Sequence, residues 1–297
     1  MKLIFRYGMI FLVALLTLWI IYEPYTQSIA ISMGSGTVLS PNWWTGMNWI
    51  NQNTANCSVI ATYWDPGHFI TGIAKRPAVF DGASQGASRW VDLGNGSLLE
   101  RSRIQDIATI LFTTNEDQAV DILRNYQFDD CEDPMYFIAS ADLLSKSQWW
   151  TYFSTWDPVN KGTIYTYATL PLSEAKPIIS ENTIVYKYNL DADRYFAVYD
   201  RDDTYETFFV QQNTFLHVES IYAFSKDGRS YIATDPEAEI KGRLWISPDK
   251  QTVIFIPPEL QDSMFTKMYL YDGFGLEKFT PVMNFGGEVK LYRVDLS

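Results

Sequence analysis

Residues Cys57 to Gly67 read CSVIATYWDPG. The run from Cys57 to Trp64 is dense in β-branched and aromatic residues, which predicts a buried strand, and Asp65-Pro66-Gly67 predicts the turn that ends it. His68 to Ala74 then returns as a helix. Working outward, Ile104, Ile107, Ala108 and Leu111 recur at i, i+3, i+4 and i+7, the spacing of one helix face. A second helix is expected from Thr114 or Asn115 through Ala119, Ile122 and Leu123. Met135 to Ser140 (MYFIAS) is a second short apolar run suited to an inner strand, followed by a polar-aromatic segment from Asp142 to Trp156. Strand, helices, strand is the order of a small α/β core. Upstream, Ser40-Pro41 has the pattern of a cap followed by proline in the first turn, and Trp43, Met47 and Ile50 then share a helix face.

From about Asp157 the pattern changes to short runs separated by turn formers: Thr163 to Tyr167, Thr183 to Tyr188, Tyr195 to Tyr199, Thr207 to Val210, Tyr231 to Thr234, Gln251 to Ile256 and Val289 to Val294. Strands at this spacing predict a β-rich second half, with Asp272-Gly273 and Gly286-Gly287 as turns. At the other end, Gly8 to Tyr22 carries no charge, and counting from Leu3, with Arg6 reaching back to the interface, the stretch approaches the ~20 residues that cross a bilayer. Ser28-Ile29-Ala30 is a passable cleavage site, so anchor and signal both remain readings, the anchor preferred. Lys2 and Arg6 place the N-terminus in the cytoplasm and the remainder outside. Glu23 to Thr37 reads as a polar connector. The expected fold class is therefore α+β: a transmembrane anchor (residues 1–24), a mixed α/β core (25–157) and a β-rich C-terminal region (158–297).

Hydrophobic residues make up 47% of the 297 and charged ones 20%, which excludes a disordered chain or a coiled coil. With 35 acidic against 23 basic residues the net charge is −12, and no basic cluster is present, so nucleic acid is not an expected partner. Two cysteines, Cys57 and Cys131, are too few for a disulfide framework, and the sequence leaves their pairing open. The two histidines, His68 and His217, give no zinc ligand set. The acidic groups Asp191, Asp193, Asp200, Asp202, Asp203 and Asp129, Asp130, Glu132, Asp133 read as solvated surface. Asn56-Cys57-Ser58 and Asn95-Gly96-Ser97 are N-glycosylation acceptor patterns. The segment that carries chemistry is Tyr63-Trp64-Asp65: a carboxylate beside a phenol and an indole offers one acceptor and two donors at a strand end, which suits a ligand hydroxyl. A capped turn with two core aromatics is the plainer alternative.

Ser40 to Gln85 (SPNWWTGMNWINQNTANCSVIATYWDPGHFITGIAKRPAVFDGASQ) resembles the segment around the WWDYG motif of the catalytic subunit of oligosaccharyltransferase, above all its archaeal forms. The likeness extends through Lys75-Arg76-Pro77 and Asp81 to Arg103 to Leu123, which is similar to the family's helix pair. Asp142 to Trp156 resembles its second recognition element, and Tyr269 to Val294 its terminal strands. It covers about Ile29 to Trp156 and about Leu260 to the end, leaving Asp157 to Glu259 poorly matched. The resemblance implies transfer of a lipid-linked glycan to the Asn of an N-x-Ser/Thr sequon, with Tyr63, Trp64 and Asp65 binding the Ser/Thr hydroxyl. Tyr63 departs from the family's first tryptophan and Pro66 from its tyrosine. Leu143, Lys146 and Trp150 keep the spacing of the family's M-x-x-I-x-x-x-W element, with Leu for Met and Lys for Ile, so the resemblance implies that they bind the acceptor as well, with the Lys146 ammonium expected to approach Asp65.

The family's catalytic carboxylates, which bind Mn²⁺ or Mg²⁺, lie in a large multi-pass membrane portion, and this chain resembles its last transmembrane helix followed by the C-terminal domain. The resemblance thus implies no catalytic residue, metal ligand or cofactor in this chain, no turnover by the chain alone, and as partners the membrane, a sequon-bearing polypeptide and the multi-pass portion. An anchored peptide- or glycan-binding domain without chemistry is the alternative. A glycosidase, with Asp81 as second carboxylate to Asp65, is a third.

Overall fold

The computed structural model describes residues 2–34, 39–84, 86–92, 98–178, 182–202, 204–225, 228 and 230–297. The chain divides into two compact units, Met1–Trp44 and Thr45–Ser297.

The first unit holds the helix Lys2–Gly34. Its stretch Tyr7–Ile29, 23 residues, is long and apolar enough to cross a membrane, and none of it is buried in protein. The helix runs through Glu23 and Pro24, where the sequence predicted a connector. Pro24 deletes one i→i−4 bond rather than ending the helix, and the Thr26 hydroxyl donates to the carbonyls of Tyr22 and Glu23 at 3.0 Å each, supporting the turn around the proline. Residues 35–37 of the expected connector lie outside the described residues.

The second unit is built on two sheets. Among the described residues the smaller has four strands in the order Val59–Ala61, Met135–Ser140, Val289–Val294, Phe279–Phe285. The first pair is parallel, with Val59 opposite Met135, and the other two pairs are antiparallel. Parallel neighbours require a crossover, and the helices Arg103–Phe112 and Glu116–Leu123 supply it. A Ser102/Gln105 capping box starts the first, and the Asn115 side chain caps the second. Ile107, Leu111, Leu123, Phe137, Trp150 and Phe265 fill the core around this sheet. The strand predicted over Cys57 to Trp64 pairs only at Val59–Ala61. Its edges are held otherwise: the Ser58 and Thr62 hydroxyls donate to the carbonyls of Asp133 and Ile138.

The larger sheet has nine strands among the described residues. Its order is Ala168–Pro171, Thr252–Ile256, Ile240–Ile246, Thr214–Phe224, Thr204–Gln211, Arg194–Arg201, Thr183–Asn189, Glu174–Ile178, with Ser230–Thr234 also paired to Thr214–Phe224. The central strand Thr214–Phe224 escapes period-2 reading because its register shifts between Val218 and Ser220. Ile240–Ile246 is masked by Gly242, at φ 130°, where a Cβ would meet the Ile256 carbonyl at 2.7 Å. Conversely, Thr163 to Tyr167 is not a strand. Thr151 and Thr155 of the helix Ser147–Thr155 accept the amides of Tyr165 and Thr163 on their hydroxyls, at 3.0 and 2.8 Å, so the segment spends those amides on a helix face.

One open question is answered and two expectations change. Cys57 and Cys131 are paired, with Cα atoms 5.7 Å apart and 74 positions of chain between them, a closure worth about 4 kcal/mol on the chain-entropy account. Asp200 is buried within its strand and pairs with Lys250 rather than lying in a solvated loop. Asp133 is half-buried and meets Arg293 at 2.8 Å, a basic partner 160 positions away and therefore invisible locally. Asp203 and the acceptor pattern Asn95-Gly96-Ser97 lie outside the described residues.

Candidate functional site

The two parallel strands end side by side, and the segments that follow them carry the candidate residues. Tyr63, Trp64 and Asp65 come directly after Val59–Ala61, and Asp142 to Lys146 directly after Met135–Ser140. Ligands in α/β layers bind outside the carboxyl ends of parallel strands, because the chain leaves the sheet there with side chains free to converge.

The turn after Asp65 is tightly specified. The Gly67 amide donates to the Trp64 carbonyl at 3.2 Å, and the Pro66 carbonyl accepts from Phe69 and Ile70 at 2.9 and 3.0 Å, starting the helix Gly67–Phe69 and the π-helical turn Ile70–Ala74. Gly67 is obligatory, since a Cβ there would lie 2.6 Å from the Phe80 carbonyl oxygen. Arg76, buried, ties this loop to the preceding helix Pro41–Asn53 by donating to the carbonyls of Asn51 and Thr54, each at 2.7 Å. Asp81 is occupied in its own turn, accepting from the amides of Ala83 and Ser84 at 3.0 Å and from the Ser84 hydroxyl at 2.9 Å. The Ser84 bond above all holds its carboxyl below the usual range.

Lys146 stands at the joint between the helices Asp142–Ser145 and Ser147–Thr155. Its ammonium bonds Asp65 Oδ2 and Asp142 Oδ2, both at 2.6 Å. The expected approach to Asp65 is thus present, and Asp142 is a second anchor. The Ser140 hydroxyl in turn donates to Asp142 Oδ1 at 2.6 Å. Burial lowers the Lys146 pKa, but the bonds to the two carboxylates outweigh it and the net shift is upward. Burial, aided by the charge of Asp65, pushes the Tyr63 phenol far above its ordinary value, so it is a neutral O–H.

Tyr63, Trp64, Asp65 and Lys146 line a cleft of about 340 Å³ together with Ile104, Trp149 and Phe153. Trp149 and Phe153 share a face of their helix at i, i+4, and with Ile104 they give apolar walls to a cleft that also holds one carboxylate and one ammonium. Leu143 and Trp150 are elsewhere: both are fully buried in the core. The Trp150 indole donates to the Leu143 carbonyl at 2.9 Å and packs on Phe265 and Tyr167. They clamp the two-helix joint from below and so position Lys146. The wall residues Ile104, Trp149 and Phe153 were not read from the sequence as site residues. The exposure of Trp149, 55% despite its size, is the feature that marks it out, and sequence does not carry exposure.

Among the described residues that line the cleft, Asp65 is the one carboxylate, which is not the facing pair a glycosidase needs. Among the described residues no group of three or more His, Cys, Asp or Glu side chains is placed to hold a metal ion. The cleft's donor set, one carboxylate already held by an ammonium, does not fit Mn²⁺ or Mg²⁺.

No protein-family model matches the chain. It is similar to dolichyl-phosphooligosaccharide-protein glycotransferases of two archaea. For that of Methanocaldococcus jannaschii the identity is 23%, over 95% of this chain and 37% of the relative. For that of Methanococcus voltae it is 24%, over 79% of this chain and 34% of the relative. The chain therefore spans little more than a third of the length of these relatives. In fold it is similar to the C-terminal globular domain of oligosaccharyltransferase from Pyrococcus abyssi, with a TM-score of 0.51 and 15% identity over 85% of this chain and 50% of that one. The resemblance seen in the sequence and these findings point to the same archaeal transferases.

Proposed function

We propose that this chain is the acceptor-recognition part of an oligosaccharyltransferase that transfers a lipid-linked glycan to the Asn of N-x-Ser/Thr sequons. The observation that carries the reading is Asp65, held by the Lys146 ammonium at 2.6 Å in the mouth of an otherwise apolar cleft. The ammonium occupies Oδ2, leaving Oδ1 to accept the proton of a Ser or Thr hydroxyl. The Trp64 indole donates to the Tyr63 phenol oxygen, which leaves the phenol O–H as the donor for the hydroxyl oxygen. The Ile104, Trp149 and Phe153 wall suits the threonine methyl and adjoining side chains.

An alanine in place of the hydroxyl residue leaves a carboxylate lone pair and the phenol O–H without partners, which is the source of discrimination. Transfer chemistry belongs on this reading to a multi-pass membrane portion, and the helix Lys2–Gly34 anchors the recognition unit on the extracytoplasmic side.

The test is a cross-linking experiment with the full chain in detergent. A peptide containing N-x-Thr with a photoreactive side chain next to the threonine is expected to label Trp149 or Phe153, and the N-x-Ala version not to. Labels distributed elsewhere, or equal labelling by both peptides, sinks the reading.

A further inference from the structure

The three residues of the acceptor pattern Asn56-Cys57-Ser58 meet three different fates in the folded chain. Asn56 is exposed in a tight turn closed by the Ser58 amide on the Ala55 carbonyl at 3.0 Å. Cys57 is bonded to Cys131. Ser58 is fully buried, and its hydroxyl donates to the Asp133 carbonyl at 2.5 Å. The next amide, that of Val59, bonds the Pro134 carbonyl at 2.8 Å and begins the parallel strand. The disulfide and the hydroxyl bond thus hold the same two segments together, one through Cys131 and the other through Asp133.

N-glycosylation requires the hydroxyl two residues after the asparagine to be read by the modifying enzyme. In the folded chain that hydroxyl is inside and already donated, and the backbone that would have to enter an enzyme's cleft is pinned at Cys57 and Val59. The asparagine amide itself faces solvent, so a glycan already attached there is compatible with the fold. Access, not tolerance, is what folding removes.

We propose that Asn56 is an N-glycosylation site open only until the Cys57–Cys131 bond closes, so that disulfide formation ends its modification. The step is transfer from a lipid-diphosphate-linked glycan: the Asn56 amide nitrogen bonds the anomeric carbon, the bond from that carbon to the lipid diphosphate oxygen breaks, and the amide proton passes to the modifying enzyme. The inference concerns this chain as an acceptor and stands whether or not the cleft at Asp65 reads sequons.

The test uses the full chain in an Asn95→Gln background, which leaves Asn56 as the one N-x-Ser/Thr pattern in the sequence. An active oligosaccharyltransferase and a lipid-linked glycan are added to the oxidised, folded chain and to the reduced, alkylated, unfolded chain. A peptide spanning 50–62 with its cysteine alkylated confirms that the modified cysteine is accepted. Intact-mass measurement is expected to show a glycan-sized increase on the unfolded chain and none on the folded one, and no increase on either form of Ser58→Ala. Modification of the oxidised chain to the same extent as the unfolded one overturns the proposal. So does an unfolded chain that stays unmodified while the peptide is glycosylated. In cells that glycosylate, Cys131→Ser, which leaves the acceptor pattern intact, is expected to raise occupancy at Asn56, and unchanged occupancy counts against the switch.

Discussion

The layer that carries the cleft and the nine-stranded sheet are assembled in opposite ways. The cleft layer is sewn from distant pieces, Val59–Ala61 and Met135–Ser140 from one part of the chain and Phe279–Phe285 and Val289–Val294 from its end. The large sheet is nearly continuous in sequence, from Ala168–Pro171 to Thr252–Ile256. The two stretches that resemble oligosaccharyltransferases, about Ile29 to Trp156 and about Leu260 onward, are the ones that build the cleft layer. The stretch between them, in which the sequence carries no such motif, builds the sheet. Positioning Asp65 and Lys146 constrains many distant residues at once, whereas the sheet needs only to keep a buried face of its own around Tyr188, Val198, Leu244 and Val253.

That contrast can be broken by substitutions. The largest effect is expected from Trp150→Ala, which empties the core under the Lys146 joint. It should cost ~3–5 kcal/mol and abolish peptide binding, read by chemical denaturation and by titration. Reduction of Cys57–Cys131, with alkylation, should cost about 4 kcal/mol and also loosen the cleft, because the bond ties the entry to both parallel strands. Leu244→Ala, in the core of the sheet, should cost ~2–5 kcal/mol yet leave N-x-Thr affinity unchanged below its melting temperature. Loss of affinity there would show that the two regions are not separable.

Smaller effects sharpen the comparison. Asp65→Asn should weaken N-x-Thr binding by ~1.5–3 kcal/mol, the range for a hydrogen bond to a charged group, with little change in unfolding because the side chain is a third exposed. The smallest effect is in pH. The Lys146 pKa is raised above its ordinary 10.5 in the folded chain, so its contribution is fully present below that value and lost as pH rises through the folded pKa. Affinity should hold flat from neutral pH to about 10 and fall above it, and Lys146→Met should flatten the fall.

Much of the cleft layer was legible because its signals are local. The Ile104 to Leu111 periodicity, the Asn115 cap and the MYFIAS strand appear where expected, and the CSVIATYW run supplies a shorter strand, Val59–Ala61. Asp65 and Lys146 were legible through the motif resemblance, their contact through side-chain reach. What was hidden depends on partners far away in sequence. Asp133 and Asp200 look solvated until Arg293 and Lys250 are in place. Thr163 to Tyr167 looks like a strand until Thr151 and Thr155 take its amides. The motif resemblance points to Leu143 and Trp150 as substrate-binding, but both are buried in the core, and a motif does not say which side of a helix joint faces the core. The helix past Pro24 was missed because proline removes a single bond, which a long apolar helix survives.

The measurement that tests the central claim most directly is the affinity of the full chain, in detergent, for two peptides differing only in N-x-Thr against N-x-Ala, with the unmodified protein and with Asp65→Asn. The account predicts that the unmodified protein prefers the threonine peptide by roughly 10-fold or more and that Asp65→Asn removes most of that preference. Equal affinities for the two peptides in the unmodified protein, or a preference that survives Asp65→Asn intact, would contradict it.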